Sequence, residues 1–249
     1  NISAKMVDKR HKFLGFLGRV KRKILIKLAK FNTGRKFLIE ERDQNKLTYY
    51  NPNQLNVDFK KDLHFEGYFQ SEKYFKSDIE NLLKEFSFKS NIINQKNIYK
   101  EDIKKCNSVS IHLRQDKFLA DENHKDLEKL NSEFFNNNFR IIKKGIEYFD
   151  KKLENPIYFV WSNNFSGIKE LFNSKKFILM DDNLDKDPAY DLYLMSLCKH
   201  FILSPSSMHY WAAVLSKSSN KICLSPLNIM NKSGYYGFSN NKDIKADWW

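Results

Sequence analysis

Apolar side chains recur at three- and four-residue steps through Phe13, Phe16, Leu17, Val20, Ile24 and Leu28, the spacing of one helix face. Arg19, Lys21, Arg22, Lys23, Lys27 and Lys30 lie among them, so the expected helix is basic as well as amphipathic, although Gly15 and Gly18 weaken it. Two readings of this helix are open: it lies on an anionic membrane surface, or it packs into the protein with its basic face in water. The second is the simpler and is the expectation adopted. Residues 51–61 are polar and irregular, Leu63 to Phe69 alternates as a strand, and Ser77 to Phe86 reads as a helix with Ser77 and Glu80 at capping-box spacing. The polar stretch 91–105 marks a domain boundary, giving an amino-terminal domain over 1–104, a second over 105–227, and a tail, 228–249, rich in Gly, Asn and aromatics that returns across them.

Beyond that boundary short apolar runs alternate with helical patterns. Val109, Ile111 and Leu113 form a buried strand ending at Arg114, followed after polar residues 121–131 by a helix carrying Phe135, Phe139, Ile142, Ile146, Phe149 and Leu153. Strands follow at 157–161, 177–180, 201–203 and 221–224, with helices over 191–198 and 207–215 between them. This alternation predicts an α/β fold with a doubly wound parallel sheet. Ligands bind such sheets beyond the carboxyl ends of the strands. Arg114, Ser162 to Asn164, Asp181, Asp182 and Ser204 to Ser207 all fall there. Arg114 offers a planar fork of five donors that stays charged, which suits phosphate, and Ser206 and Ser207 open a helix whose free N–H groups suit an anion. No G-x-G-x-x-G or Walker loop is present, which disfavours ordinary dinucleotide and P-loop chemistry.

Composition narrows the partners. With 249 residues and 41% hydrophobic content the chain can build real cores, and a net charge of +13 points to an anionic partner: nucleic acid, acidic lipid or a phosphorylated small molecule. Lysines spread along the chain and aromatics at core spacing argue against nucleic acid. Cys106, Cys198 and Cys223 have no C-x-x-C pair, so neither a disulfide framework nor a zinc site is suggested and a reducing compartment is expected. No run approaches the roughly 20 apolar residues of a membrane span. The start, Asn-Ile-Ser-Ala-Lys, lacks a secretory signal and a methionine, which fits residues missing upstream.

Three stretches then resemble the bacterial α-1,2-fucosyltransferases of glycosyltransferase family 11: Gly67 to Phe75, Ser110 to Arg114, and Asp191 to His200 running on through Ser206-Ser207 to Trp211-Ala212. The resemblance spans most of 60–226. It implies a GT-B-like enzyme of two Rossmann-type halves, the carboxyl-terminal one the doubly wound sheet. Its expected activity is inverting transfer of L-fucose from GDP-fucose to a sugar hydroxyl, O2 of galactose, in a surface-glycan precursor, without a required metal or other cofactor. Donor binding is expected at His112, Arg114, Asn163, Asp191, Ser206 and Ser207, with Arg114 also catalytic. The expected partners are GDP-fucose and a galactose-containing oligosaccharide, in the cytoplasm or at the inner face of the membrane, and no nucleic acid. Departures are Gln115 for the family's second arginine, Lys117 for an acid, Asn163-Asn164 for Asp-Asp, Met208-His209-Tyr210 for Phe-Ser-Trp, and no amino-terminal Gly-rich segment. Two competing readings are a transferase-like protein that binds nucleotide or glycan without turnover, and a basic nucleic-acid binder. For a general base, His64, Glu66, Glu72 and Asp116 remain equal candidates.

Overall fold

The computed structural model describes residues 13–29, 31, 35–40, 50–56, 62–67, 69, 71–95, 98–115, 127–181 and 187–224. Those up to Ser87 form one compact unit and those from Phe88 onward a second. The division therefore falls ahead of the polar stretch 91–105. That stretch holds two short helices, α3 (Ser90–Ile93) and α4 (Lys100–Lys105), which bury Ile92 and Ile103 in the second unit's core. Two apolar anchors in a polar run were enough to commit it to that unit. The expected tail over 228–249 lies outside the described residues.

In the first unit α1 (Gly15–Ala29) packs on β1 (Arg35–Ile39), which pairs in parallel with β2 (Asp62–Glu66). Strand β1 escapes a periodicity reading because it contributes only three apolar residues. Beyond β2 the chain turns tightly. Gly67 has φ +155°, and a Cβ there would lie 2.4 Å from Glu40 Cβ, so only glycine fits. Glu40 in turn accepts the Phe69 N–H at 3.1 Å. Tyr74 donates its hydroxyl to Gln54, and Gln54 donates to the Ile39 carbonyl. The expected capping box does not form: Ser77 sits inside a 3-10 turn (Lys76–Asp78), and α2 (Ile79–Glu85) starts after Asp78 with no side-chain cap.

The packed side of α1 is not the periodic one. Gly18, Arg22, Leu25, Ile26 and Ala29 are half-buried, whereas Phe16, Leu17, Ile24 and Leu28 face solvent. A bidentate pair sets this rotation: Arg22 Nε and Nη2 each donate to a Glu66 carboxylate oxygen on β2 at 2.7 Å. The helix thus packs with Arg19, Lys21, Lys23 and Lys27 in water as expected, but apart from Phe13, which meets Phe37 and His64, not through its periodic apolar stripe.

The second unit is a five-stranded, wholly parallel sheet in the order β5-β4-β3-β6-β7, from β3 (Asn107–Leu113), β4 (Pro156–Ser162), β5 (Phe177–Leu179), β6 (His200–Ile202) and β7 (Cys223–Leu224). Helices α5 (Leu127–Lys152) and α6 (Ile168–Leu171) cover one face over Val109, Ile111, Leu113, Tyr158 and Val160. Helices α7 (Pro188–Ser196) and α8 (Ser207–Leu215) cover the other over Phe159, Trp161 and Phe201. Alternate residues of each strand enter opposite cores, which is why β4 and β6 read as continuous apolar runs, whereas β3 alternates because Ser108, Ser110 and His112 line its α7–α8 face. The doubly wound sheet is as expected; helix α5 begins at Leu127, inside the stretch read as polar linker.

Helix α5 approaches β6 most closely at Gly145, where a Cβ would meet three atoms of the fully buried Ile202 at 2.8–2.9 Å. Ile202 is stiff at χ1 and cannot swing aside. Gly145→Ala should therefore lower stability by about 1–3 kcal/mol in urea unfolding, overriding the usual helix gain of about 1 kcal/mol. Adding Ile202→Val should recover part of it; an unchanged midpoint for Gly145→Ala would refute the close packing.

Candidate functional site

Chain direction through the sheet reverses between β3 and β6: from β3 it runs outward to β4 and β5, then returns through α7 to β6 on the other side. Connections lead away on opposite faces there and leave a crevice beyond the strand ends. The end of β3 supplies His112 and Arg114, and the end of β6 supplies Ser204 and the start of α8. His112 Nδ1 lies 3.4 Å from Ser204 Oγ, which ties the two strand ends together.

Beneath the crevice, β3 directs Ser108, Ser110 and His112 in a row toward α7 and α8. Polar groups buried in a sheet need partners. Ser108 Oγ accepts the Lys199 N–H, and Ser110 Oγ lies 3.0 Å from Nε2 of the fully buried His209 on α8. His209 Nδ1 accepts the Ser204 N–H at 3.3 Å, so its proton sits on Nε2 and is donated to Ser110. Burial, with the Arg114 charge adding to it, lowers His112 to about 4. Burial likewise holds His209 well below the usual histidine range, with His112 reinforcing it. Both rings are neutral near pH 7.

Arg114 is exposed, and among the described residues it makes no hydrogen bond or ion pair. Its neighbour Gln115 clamps two loops together. Gln115 N–H donates to Asn163 Oδ1 at 2.8 Å, and its side-chain amide donates to the Asn164 and Ser166 carbonyls at 2.9 and 2.7 Å. Asn163 thus lies beside Arg114 with its carboxamide oxygen engaged and its NH2 without an acceptor among the described residues. Ser206 is the N-cap of α8, its Oγ accepting the His209 N–H, and Ser207 is the exposed first residue of that helix. The first N–H groups of a helix have no partner within it, so this end presents donors and positive dipole.

The structure accordingly brings His112, Arg114, Asn163, Ser206 and Ser207 to one edge of the sheet. Asp191 sits half-buried in the first turn of α7, the helix beside α8, and the N-cap there is Asp187, which accepts the Ala189 N–H. Asp181 is paired with Lys169 at 3.2 Å, and Asp182 lies outside the described residues. Of the acid–base candidates, Glu66 is held by Arg22 with His64 beside it, Glu72 is buried, and Asp116 also lies outside the described residues. Sequence reasoning missed His209 and Gln115 as organising residues. The signal for His209 was the period-two row of polar residues in an otherwise apolar strand; for Gln115 there was none.

The family model for glycosyl transferase family 11 matches residues 13–249. An alpha-1,2-colitosyltransferase of Escherichia coli is 26% identical over 177 residues, 70% of this chain and 58% of that protein. The O-antigen biosynthesis glycosyltransferase WbnK of Escherichia coli is 23% identical over 189 residues, 74% of this chain and 58% of that protein. The chain thus spans under two thirds of the length of these relatives. No solved structure matches.

Two outcomes test the geometry. Histidines whose folded pKa is depressed leave the unfolded chain binding more protons below its pKa of 6.5, so stability is complete above that pH and declines as pH falls. The expected slope is up to about 1.4 kcal/mol per pH unit for each buried histidine between pH 6.5 and about 5. Urea titrations of His209→Asn should show a shallower decline; an equal slope would remove the buried-histidine account. Separately, Gln115→Ala should raise hydrogen exchange across 162–166 while leaving the β3–β4 ladder protected, and unchanged exchange would discount the clamp.

Proposed function

The chain belongs to glycosyl transferase family 11, and from that membership we propose that it is an inverting transferase that moves L-fucose from GDP-fucose to a sugar hydroxyl, O2 of a galactose in a surface-glycan precursor. The observation that supports this reading is the placement of Arg114, permanently charged and without a hydrogen bond or ion pair among the described residues, just past β3 at the sheet's reversal point, where the neighbouring β6 leads into the α8 N-terminus. When the bond from fucose C1 to the diphosphate breaks, negative charge grows on the β-phosphate. A fixed cation and oriented N–H groups at that position stabilise the transition state more than the ground state. Arg114 and the Ser206-Ser207 end of α8 take this role, and no step of it calls on a metal.

Neutral His112 is a donor or acceptor for the nucleotide without adding a second charge, and Asp191 is the proposed guanine partner. Asn163, its side chain oriented by the Gln115 N–H, would donate its NH2 to the sugar. The relative named as an alpha-1,2-colitosyltransferase suggests a second sugar to test, colitose, which is fucose without its 3-hydroxyl. Gln115 and Lys117 at motif positions favour one further alternative, donor binding without turnover.

Calorimetric titration should give selective binding of GDP over UDP and GMP that collapses in Arg114→Ala. With GDP-fucose and a galactoside acceptor, the same variant should lose two to three decades in rate, about 3–4 kcal/mol, by analogy with removal of one oxyanion donor. No preference for GDP, or equal binding by the variant, would sink the donor-site assignment; GDP binding with no transfer of either sugar would leave the binding-only alternative.

A further inference from the structure

Helix α1 carries a second face that no other described residue covers. Leu14, Leu17, Val20, Ile24, Leu28 and Phe31 follow three- and four-residue steps along α1 and its flanking turns, and all are exposed, Leu17 and Phe31 at 80% and Ile24 at 52%. Isolated exposed leucines need no explanation, but a continuous apolar strip along a helix marks a contact surface. The Arg22–Glu66 pair fixes the helix so that this strip faces outward.

Charge narrows the partner. The fifteen residues of α1 include Arg19, Lys21, Arg22, Lys23 and Lys27 and no acidic residue. Arg22 is used internally, and among the described residues Lys21, Lys23 and Lys27 make no hydrogen bond or ion pair. Lys21 and Lys27 flank the strip on its two sides, where long side chains can lie along apolar surface and hold their ammonium groups at its border. An apolar strip bordered by lysines is complementary to a surface that is hydrocarbon below and anionic above. A helical protein groove would complement the strip but gives no reason for lysines on both borders with no acid among them. No helix among the described residues is long and apolar enough to cross a membrane, so the contact would be peripheral.

We propose that the outward face of α1 docks on an anionic lipid bilayer, with Leu17, Val20, Ile24 and Leu28 entering the headgroup boundary and Lys21, Lys23 and Lys27 pairing with lipid phosphates. This goes beyond the donor-site reading and does not depend on it. The test is vesicle flotation of the full chain with phosphatidylcholine alone and with phosphatidylcholine–phosphatidylglycerol mixtures, at low and high salt. The protein should float with the mixed vesicles at low salt, and salt should release it. The double variant Leu17→Asp/Ile24→Asp should abolish flotation, and replacement of Lys21, Lys23 and Lys27 by Gln should weaken partitioning roughly fivefold for each lysine. All five side chains are exposed, so unfolding midpoints and GDP titrations of the variants should match wild type. Absence of flotation with mixed vesicles, flotation that the strip variants leave intact, or equal binding to phosphatidylcholine alone would each overturn the proposal. A concentration-dependent dimer broken by the Asp variants, without vesicle binding, would assign the face to a second copy of the chain and overturn it as well.

Discussion

Strand β3 has parallel partners along both edges and a helical layer on each face, and this double enclosure dictates most of what surrounds it. Its backbone is laddered to β4 over all of Asn107–Leu113 and to β6 over Val109 to Ile111, so the strand cannot shift register without breaking two ladders. From Val109 onward its odd-numbered side chains, Val109, Ile111 and Leu113, must be apolar to meet α5. Its even-numbered ones, Ser108, Ser110 and His112, are tolerable only because the facing elements bring Lys199, His209 and Ser204 to meet them. The position of Arg114 follows from this: it is the first residue past a strand that has nowhere else to go.

Much of the second unit was legible because its signals are local. Apolar runs of four or five residues separated by helical periodicity can hardly be arranged other than as a parallel sheet, and the polar residues after each run mark its ligand-facing edge. What escaped was set by pairing across the chain. The helix-forming stretch 90–105 looks like linker because, of its described residues, Ile92 and Ile103 are buried hydrophobics and Tyr99 only half-buried beside them, and β1 looks like nothing because its ladder to β2, not its composition, makes it a strand. Helix α1 misled for a different reason. Periodicity reports that an apolar face exists and is silent on which face the protein covers; the Arg22–Glu66 pair, joining residues 44 apart, decides that.

The candidate site was partly legible on the same terms. His112, Arg114, Ser206 and Ser207 were visible as strand-end and helix-start residues, and they do converge. Their support was not visible. His209 acts from a helix 99 residues away from its partner Ser110, and Gln115 joins two loops that sequence reading treats separately. Asn163 shows the limit most clearly, because its carboxamide oxygen accepts the Gln115 N–H, a bond across 48 residues that no local pattern announces.

The neutral histidines have an environmental consequence. Near neutrality neither His112 nor His209 is charged, so among the described residues the positive potential at this edge comes from a guanidinium and a helix end, neither of which titrates there. Acidity is therefore a poor control of how strongly the edge draws an anion. Ionic strength is a good one, because the guanidinium is exposed and its reach shrinks with the screening length. A cell could alter the encounter by changing its salt while leaving its pH alone.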